Sequence, residues 1–434
     1  MPPSCLRTLV LCLVCVCSAA AQTTQPTDLA PLITRLVADL RNESWSVRQT
    51  AQDRLAELGT AAVPLLEGVL RGTDDEEVRT RVEAALRQIE RTRATGQSII
   101  TLCGQFAGPG DVFAQIARQA SIDIRPNPPD LFQSRNWPAI TLDIQGLSFW
   151  QAMRQVGDTW NLAPTGIGGS RELLIAERNA AGRVFGDAPY VVSGPFMVVA
   201  TGVYVNRSID LNNRQNPQRR GTVHLMVWPE PKIRVLQAGT MAQIEQAIDE
   251  NGESLAGPPT FTGGSLPQID WSWNATATLN IPPTPSQRIA VFKGSLRALI
   301  QVRGQSAQFD GVMNVRGASR DVAGRKYTLK QVTRNGEQYS VNLVVHRAAG
   351  ASNELSSANP YSNFKLLDDA GQSLMRVGFS GGAANLDFSE INLQFHKRTS
   401  QGQPTGEPAR LVWDVPVETR EEQIPFEFRD LPMP

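Results

Sequence analysis

The sequence predicts a multidomain α+β chain in which helices come first and strands fill the second half. Three observations carry that expectation. Apolar residues recur at helical spacing between 28 and 93. From Ser98 to about residue 177 strand-like runs alternate with two short helical patterns. Beyond residue 185, apolar or alternating runs follow one another between Gly, Pro and Asn, with hardly a helical stretch. At 434 residues the chain is also too long for one ordinary core. The expected divisions are 1–21 for a leader, 22–94 for a helical pair, 95–180 for a small βαβ module, and 185–304 and 305–434 for two antiparallel β-sandwiches.

The leader reads as a signal peptide. Arg7 supplies a positive start, 9–17 are nearly all apolar, and Ser18-Ala19-Ala20-Ala21 ends in the small-x-small pattern of a cleavage site. The apolar run is too short to span a bilayer as a helix, and no second long one occurs. The expectation is an exported protein of the periplasm or cell surface, with no direct membrane insertion after cleavage. Cys5, Cys12, Cys15 and Cys17 leave with the leader, and Cys103 alone cannot form an internal disulfide, so packed cores must hold the domains. Cys103 ends the apolar run 99–103, which predicts a small, buried, inert thiol. Only Arg7 of the 42 Lys and Arg residues lies in the leader, so 42 acidic residues bring the remainder to within about one charge of neutral. That balance argues against nucleic acid as a partner. Arg214, Arg219 and Arg220, set among Asn, Gln and Pro, read as a solvated loop.

In the helical segment Leu32, Ile33, Leu36, Val37 and Leu40 form one stripe, and Val47, Ala51, Leu55 and Leu58 a second. The second recurs 31 residues on: Val47-Arg48 matches Val78-Arg79, and Ala51, Leu55 and Leu58 match Val82, Leu86 and Ile89. Gly59 closes one helix, and Pro64 is tolerable in the first turn of the next. Two helix pairs follow, each burying its stripe on its neighbour. The Val-Arg steps, preceded by Asn42-Glu43-Ser44-Trp45 and Thr73-Asp74-Asp75-Glu76, resemble HEAT repeats, and the resemblance implies a protein-interaction scaffold. Repeat stacks generally need three or more units, so this pair is expected to cap or dock on its neighbour. The acidic run 74–77 is read as offsetting a helix dipole in preference to holding a metal.

The next segment reads as β-α-β written twice. Residues 99–102, 122–124, 140–144 and 173–175 are strands, with helices carrying Val112, Phe113, Ile116 and Ala117, then Phe149, Ala152, Met153 and Val156, inward. Residues 140–144, Gly146-Leu147-Ser148-Phe149-Trp150-Gln151-Ala152-Met153, Trp160-Asn161-Leu162 and Leu173-Leu174-Ile175 resemble the short periplasmic domain at the N-terminus of secretins and TonB-dependent receptors. In that family the module docks on subunits or partners and carries no catalytic residues. No pore or receptor barrel follows in this chain, so the transport role is not implied. Gly166-Ile167-Gly168-Gly169 precedes a strand and lacks the G-x-G-x-x-G spacing, which makes it a turn.

In the second half, Arg334-Asn335-Gly336-Glu337 predicts a hairpin with a type I′ Asn-Gly turn between 327–333 and 338–345. Asp249-Glu250-Asn251-Gly252-Glu253-Ser254-Leu255 recurs as Asp368-Asp369-Ala370-Gly371-Gln372-Ser373-Leu374. The shift of 119 is about the size of one β-sandwich, which suggests two similar sandwiches in tandem meeting near residue 305. Asp-led β-turns explain these segments better than calcium loops, which need further oxygen ligands at alternate positions.

Catalytic motifs are missing from the sequence. His224, His346 and His396 lie in strand-like runs with no second ligand nearby, and there is no nucleophile elbow, P-loop or Cys-x-x-Cys beyond the leader. Glu421-Glu422 are adjacent in a strand-like setting and do not make an acid/base pair. Among Trp137, Trp150, Trp160, Trp228, Trp271, Trp273 and Trp413, the pair Trp271 and Trp273 would share one strand face and is the candidate glycan-binding site. Asn42, Asn206 and Asn274 satisfy N-x-Ser/Thr, although the composition and the secretin-like segment point to a bacterium. The expected function is that of an exported, non-enzymatic envelope scaffold without cofactor or metal, whose partners are envelope or secreted proteins. The alternatives are a polysaccharide-binding protein using Trp271 and Trp273, and a hydrolase whose site is assembled between domains.

Overall fold

The computed structural model describes residues 26–167, 172–178, 188–210, 213–257, 265–266, 271–282, 286–322, 324–346, 364–384, 388–399 and 402–434. The expected leader, the joint at 180–187 and residues 168–170 of the glycine turn lie outside them. The fold is mixed α+β and mostly β, with 53% strand against 24% helix. The chain divides into two compact units, residues 1–93 and 94–434.

In the first unit, α1 (Pro26–Asp39), α2 (Trp45–Glu57), α3 (Val63–Gly72) and α4 (Glu76–Thr95) enclose a core that includes Ile33, Leu36, Ala51, Leu55, Val78 and Val82. Pro64 sits in the first turn of α3, where its missing N–H is not needed. Asp75 caps α4, its Oδ1 accepting the N–H groups of Glu77 (3.0 Å) and Val78 (3.2 Å). The Val78 bond, followed by the Arg41 guanidinium, holds this carboxyl below its ordinary pKa. The 31-residue echo extends to individual bonds. Arg48 donates back to the carbonyl of Asn42 (2.7 Å), and Arg79 to that of Thr73 (2.9 Å).

The second unit opens with β1 (Ile99–Phe106), α5 (Pro109–Ala120), β2 (Ile124–Pro126), β3 (Ile140–Ser148), α6 (Phe149–Trp160), β4 (Leu162–Ile167) and β5 (Leu173–Glu177). β1 pairs antiparallel with β3, while β5 lies parallel to β2 and antiparallel to β4. A capping box of Ser148 and Gln151 starts α6, and left-handed Ser121 and Asn161 end the two helices. Val112, Phe113 and Ile116 of α5 meet Phe149, Met153 and Val156 of α6 in one core.

The remaining strands build three sheets. β6 (Tyr190–Ser193), β7 (Phe196–Asp210) and β8 (Asn213–Pro229) form a meander. β9 (Arg234–Gly239), β10 (Gln243–Asp249) and β11 (Ser265–Leu266) enter a second sheet, β12 (Trp273–Asn280) returns beside β8, and β13 (Arg288–Asp310) joins the second sheet. The pattern then repeats. β14 (Ala318–Val322), β15 (Arg325–Asn335) and β16 (Gln338–His346) form a third sheet, to which β18 (Met375–Ala384) and β19 (Phe388–His396) are added. β17 (Phe364–Asp368) and β20 (Pro408–Pro432) join the second sheet. The second sheet thus serves two cores. One holds Val198, Leu225, Trp273, Phe292 and Phe426, the other Tyr327, Tyr339, Leu366, Leu393 and Trp413. Alternation lets the β7–β8 pair face both ways: Val198 and Val227 enter the first core, while Met197, Val199 and Trp228 pack into the α/β core.

β13 and β20 pair antiparallel from Arg288↔Pro432 to Asp310↔Arg410, so both cores rest on one ribbon. The boundary expected at 304/305 falls inside β13, and the last stretch of β20, with Ile424, Phe426, Phe428 and Leu431, completes the first core. The ribbon changes phase between its halves. Buried positions are even in Phe292, Leu296, Ala298 and Ile300 and odd in Ala307 and Phe309; on β20 they are odd in Leu411, Trp413 and Val415 and even in Ile424, Phe426 and Phe428. Register shifts at Gln301/Arg303 and Arg303/Gly304 insert one residue on each strand, and one extra residue inverts a two-residue period. At this bulge Asp414 ion-pairs with Arg234 and accepts a bond from Gln301 Nε2 (3.1 Å). A Cβ on Gly304 would overlap the Asp414 carboxylate and the Gln301 amide, so both side chains would have to move.

The 119-residue echo is a repeated turn. In each copy the leading Asp N–H donates to the carbonyl four residues on, at 3.0 Å (Asp249 to Glu253, Asp368 to Gln372). Its Oδ1 accepts the returning N–H at 2.8 Å. Gly252 and Gly371 take positive φ, and Leu255 and Leu374 then bond back to Ala247 and Leu366. Even the strand register repeats, Asp249↔Ile289 matching Asp368↔Pro408. The hairpin expected at 334–337 forms with a different centre. Asn335 pairs with Gln338 and the loop is Gly336-Glu337 with φ +59° at Gly336, the glycine-first order of type II′.

Candidate docking surface

Trp271 and Trp273 do not share a face. β12 begins only at Trp273, which is 2% exposed in the first sheet core, whereas Trp271 lies in the preceding bend and meets Trp228 edge-on at 4.3 Å. The two-residue rule applies within a strand, and here only one of the pair is in one. Cys103 departs from its expected burial. Ile100 and Leu102 point inward, so alternation leaves Cys103 exposed, its Sγ 3.5 Å from Asp143 Oδ1. Its surroundings and the Asp143 carboxylate push the thiol up, away from a thiolate nucleophile.

The histidines are separate. His224 is exposed on β8, His346 Nε2 lies 3.3 Å from Thr328 Oγ1, and His396 lies beside Arg398. Among the described residues no group of three or more His, Cys, Asp and Glu stands close enough to hold a metal ion. Glu421 and Glu422 of β20 ion-pair separately with Arg297 and Arg420.

A buried carboxylate that the sequence did not single out is Glu230. It follows β8 between two prolines, the one local sign of an unusual place for a charge. Its carboxylate accepts the N–H of Ser98 (2.9 Å) and the Ser98 hydroxyl (2.7 Å), with Lys232 Nζ at 3.6 Å. Ser98 in turn accepts the N–H of Phe149. Glu230 therefore ties the root of β1 and the start of α6 to the end of β8. Burial pushes its carboxyl up to about 7 against the opposing effect of Lys232 and Ser98. Glu407 plays a comparable part near the end of the hairpin. It takes bonds from Lys397 (2.7 Å), Tyr339 (2.6 Å) and Arg334 (2.9 Å), which lower its pKa, while burial and Glu407 raise the Tyr339 phenol to about 12. These groups spend their oxygens on neighbouring segments of the chain.

The open surface of the first unit is of another kind. Position 78, 31 residues after Val47, is 0% exposed, but Val47 is 36% exposed. Arg41 to Asp75, Arg48 to Glu77 and Arg81 to Gln52 tie the start of α4 to the preceding pair, and Val78 lies in the core they share. Among the described residues no earlier helix pair covers Val47. Trp45 beside it is 64% exposed, and a shallow groove of about 190 Å³ runs between Leu36, Asp39, Ser46, Val47, Thr50, Ala51 and Arg54. The stripe read from sequence was therefore right for Ala51 and Leu55 and wrong for Val47 and Leu32, which are exposed. No protein-family model, curated protein or solved structure matches the chain.

Proposed function

We propose that the chain is an exported, non-enzymatic interaction scaffold of the bacterial envelope, assembled from a HEAT-like helical pair, a secretin-type α/β docking module and two antiparallel β-sandwiches. The observation that carries this reading is the contrast between Val47 and Val78 at equivalent places of the repeat. A helix pair covers one, and a partner with a similar helical face would cover the other. Trp45 supplies the large amphipathic side chain on which protein interfaces concentrate their energy. No helix among the described residues is long and apolar enough to cross a membrane.

The test is retention of envelope proteins by the full chain after leader removal. Defined protein partners should be held by the native chain and reduced at least tenfold by W45A combined with V47D. Both side chains are exposed, so the variant should melt with the parent. Equal retention by both chains, or chemical conversion of a substrate by the purified protein, would contradict the reading.

A further inference from the structure

The outer face of the β12-β8-β7-β6 sheet, beyond the part covered by the α/β core, carries an ordered polar grid. Val223, Leu225 and Val227 of β8 and Trp273, Ala275, Ala277 and Leu279 of β12 enter the first core, so the residues between them point outward. On β7 a bulge at Ala200/Gly202 puts Val203 and Val205 against that core and leaves Gly202, Tyr204 and Asn206 outside. The register aligns them in rows: Thr278, Thr222 and Tyr204, then Thr276, His224 and Gly202, then Asn280, Arg220 and Asn206. Neighbours stand about 5 Å apart across the strands and about 7 Å apart along them.

Tyr204 is the one large aromatic of this grid, and its ring lies down on the sheet. A Cβ placed on Gly202 would meet Tyr204 Cε2 at 2.9 Å, and Cζ and the hydroxyl oxygen at 3.3 Å. The ring also rests beside His224, centroids 4.6 Å apart and planes at 56°. It nevertheless stays 54% exposed. The missing side chain at 202 is what lets the ring recline.

We propose that this face binds a pyranose unit of a polysaccharide. A pyranose presents an apolar face of C–H groups and a rim of hydroxyls. A flat exposed ring beside His224 and Thr222, with Asn206, Arg220, Thr278 and Asn280 in the adjoining positions of the grid, complements both, the ring taking the C–H face and the hydroxyls and amides of the grid taking the rim. A protein partner would need an apolar centre larger than one ring among threonines and asparagines. The site is independent of the helical docking face and of Trp271 and Trp273. It also differs from its counterpart on β15, β16 and β19, where the paired positions Thr328↔Val344 and Asn342↔Asn392 carry no tyrosine.

Affinity electrophoresis of the full chain after leader removal tests this in gels containing hydroxyethyl cellulose, dextran or polygalacturonate. At least one polysaccharide should retard the native chain. Tyr204→Phe should keep affinity within about twofold. Tyr204→Ala should weaken it at least tenfold, as should Gly202→Val, which displaces the ring without changing it. Thr278→Val, removing one rim hydroxyl, gives a milder variant should either of these fail to fold. Absence of retardation in all three gels, or equal retardation of the native and Tyr204→Ala chains, would overturn the proposal.

Discussion

Glu230 shows how a single side chain can make stability depend on pH. Its carboxyl is raised in the folded chain, so between its unfolded value near 4.5 and about 7 the folded state keeps a proton that the unfolded state releases. Stability contributed by this group is therefore greatest at low pH and falls as pH rises through that window, by up to about 3 kcal/mol. Urea midpoints between pH 4.5 and 7.5 should show the decline in the native chain and a flatter profile in Glu230→Gln. Equal slopes would mean that Glu230 does not carry it. Asp249 and Asp368 make a second prediction at this scale. Each is buried, and its Oδ1 holds a turn closed, so Asp249→Ala or Asp368→Ala should cost about 1–3 kcal/mol in urea unfolding. Loss in one copy and not in the other would break the equivalence of the two turns. Glu230 was hard to find from sequence because its partner Ser98 is 132 residues away. The acidic turns were legible because their bonds close within a few residues and demand Asp and Gly at fixed places.

At the scale of elements, the repeats were legible and the shared ribbon was not. The runs 412–417 and 424–428 read as two final edge strands, whereas they are parts of the one strand β20 between β13 and β17, and a two-residue period does not say which core a strand completes. The 119-residue echo corresponds to a repeated turn, while the crossing of β13 and β20 places the end of the chain in the first core. Trp271 and Trp273 failed for a related reason: spacing fixes a face only after the strand's start is known. A chain ending at residue 418 should therefore lose the first core, which needs Ile424, Phe426, Phe428 and Leu431. Hydrogen exchange would show protection lost from β7, β8 and β12. Retention of native protection there would refute the exchange of strands. Gly304→Ala should loosen both ends of the same ribbon, since its Cβ would collide with Asp414.

Across the whole molecule, buried polar groups hold segments of the second unit together, while in the first unit no earlier helix pair among the described residues covers Val47. That contrast is what supports the proposed docking role. The central claim is that the face around Val47 meets another protein. Site-specific photo-crosslinking from position 47, in cells carrying the full chain, tests it most directly, with Arg87 on α4 as an exposed position whose neighbours are charged. The account predicts a discrete protein adduct from position 47 and none from position 87. No adduct from 47, or the same adducts from both positions, would contradict it.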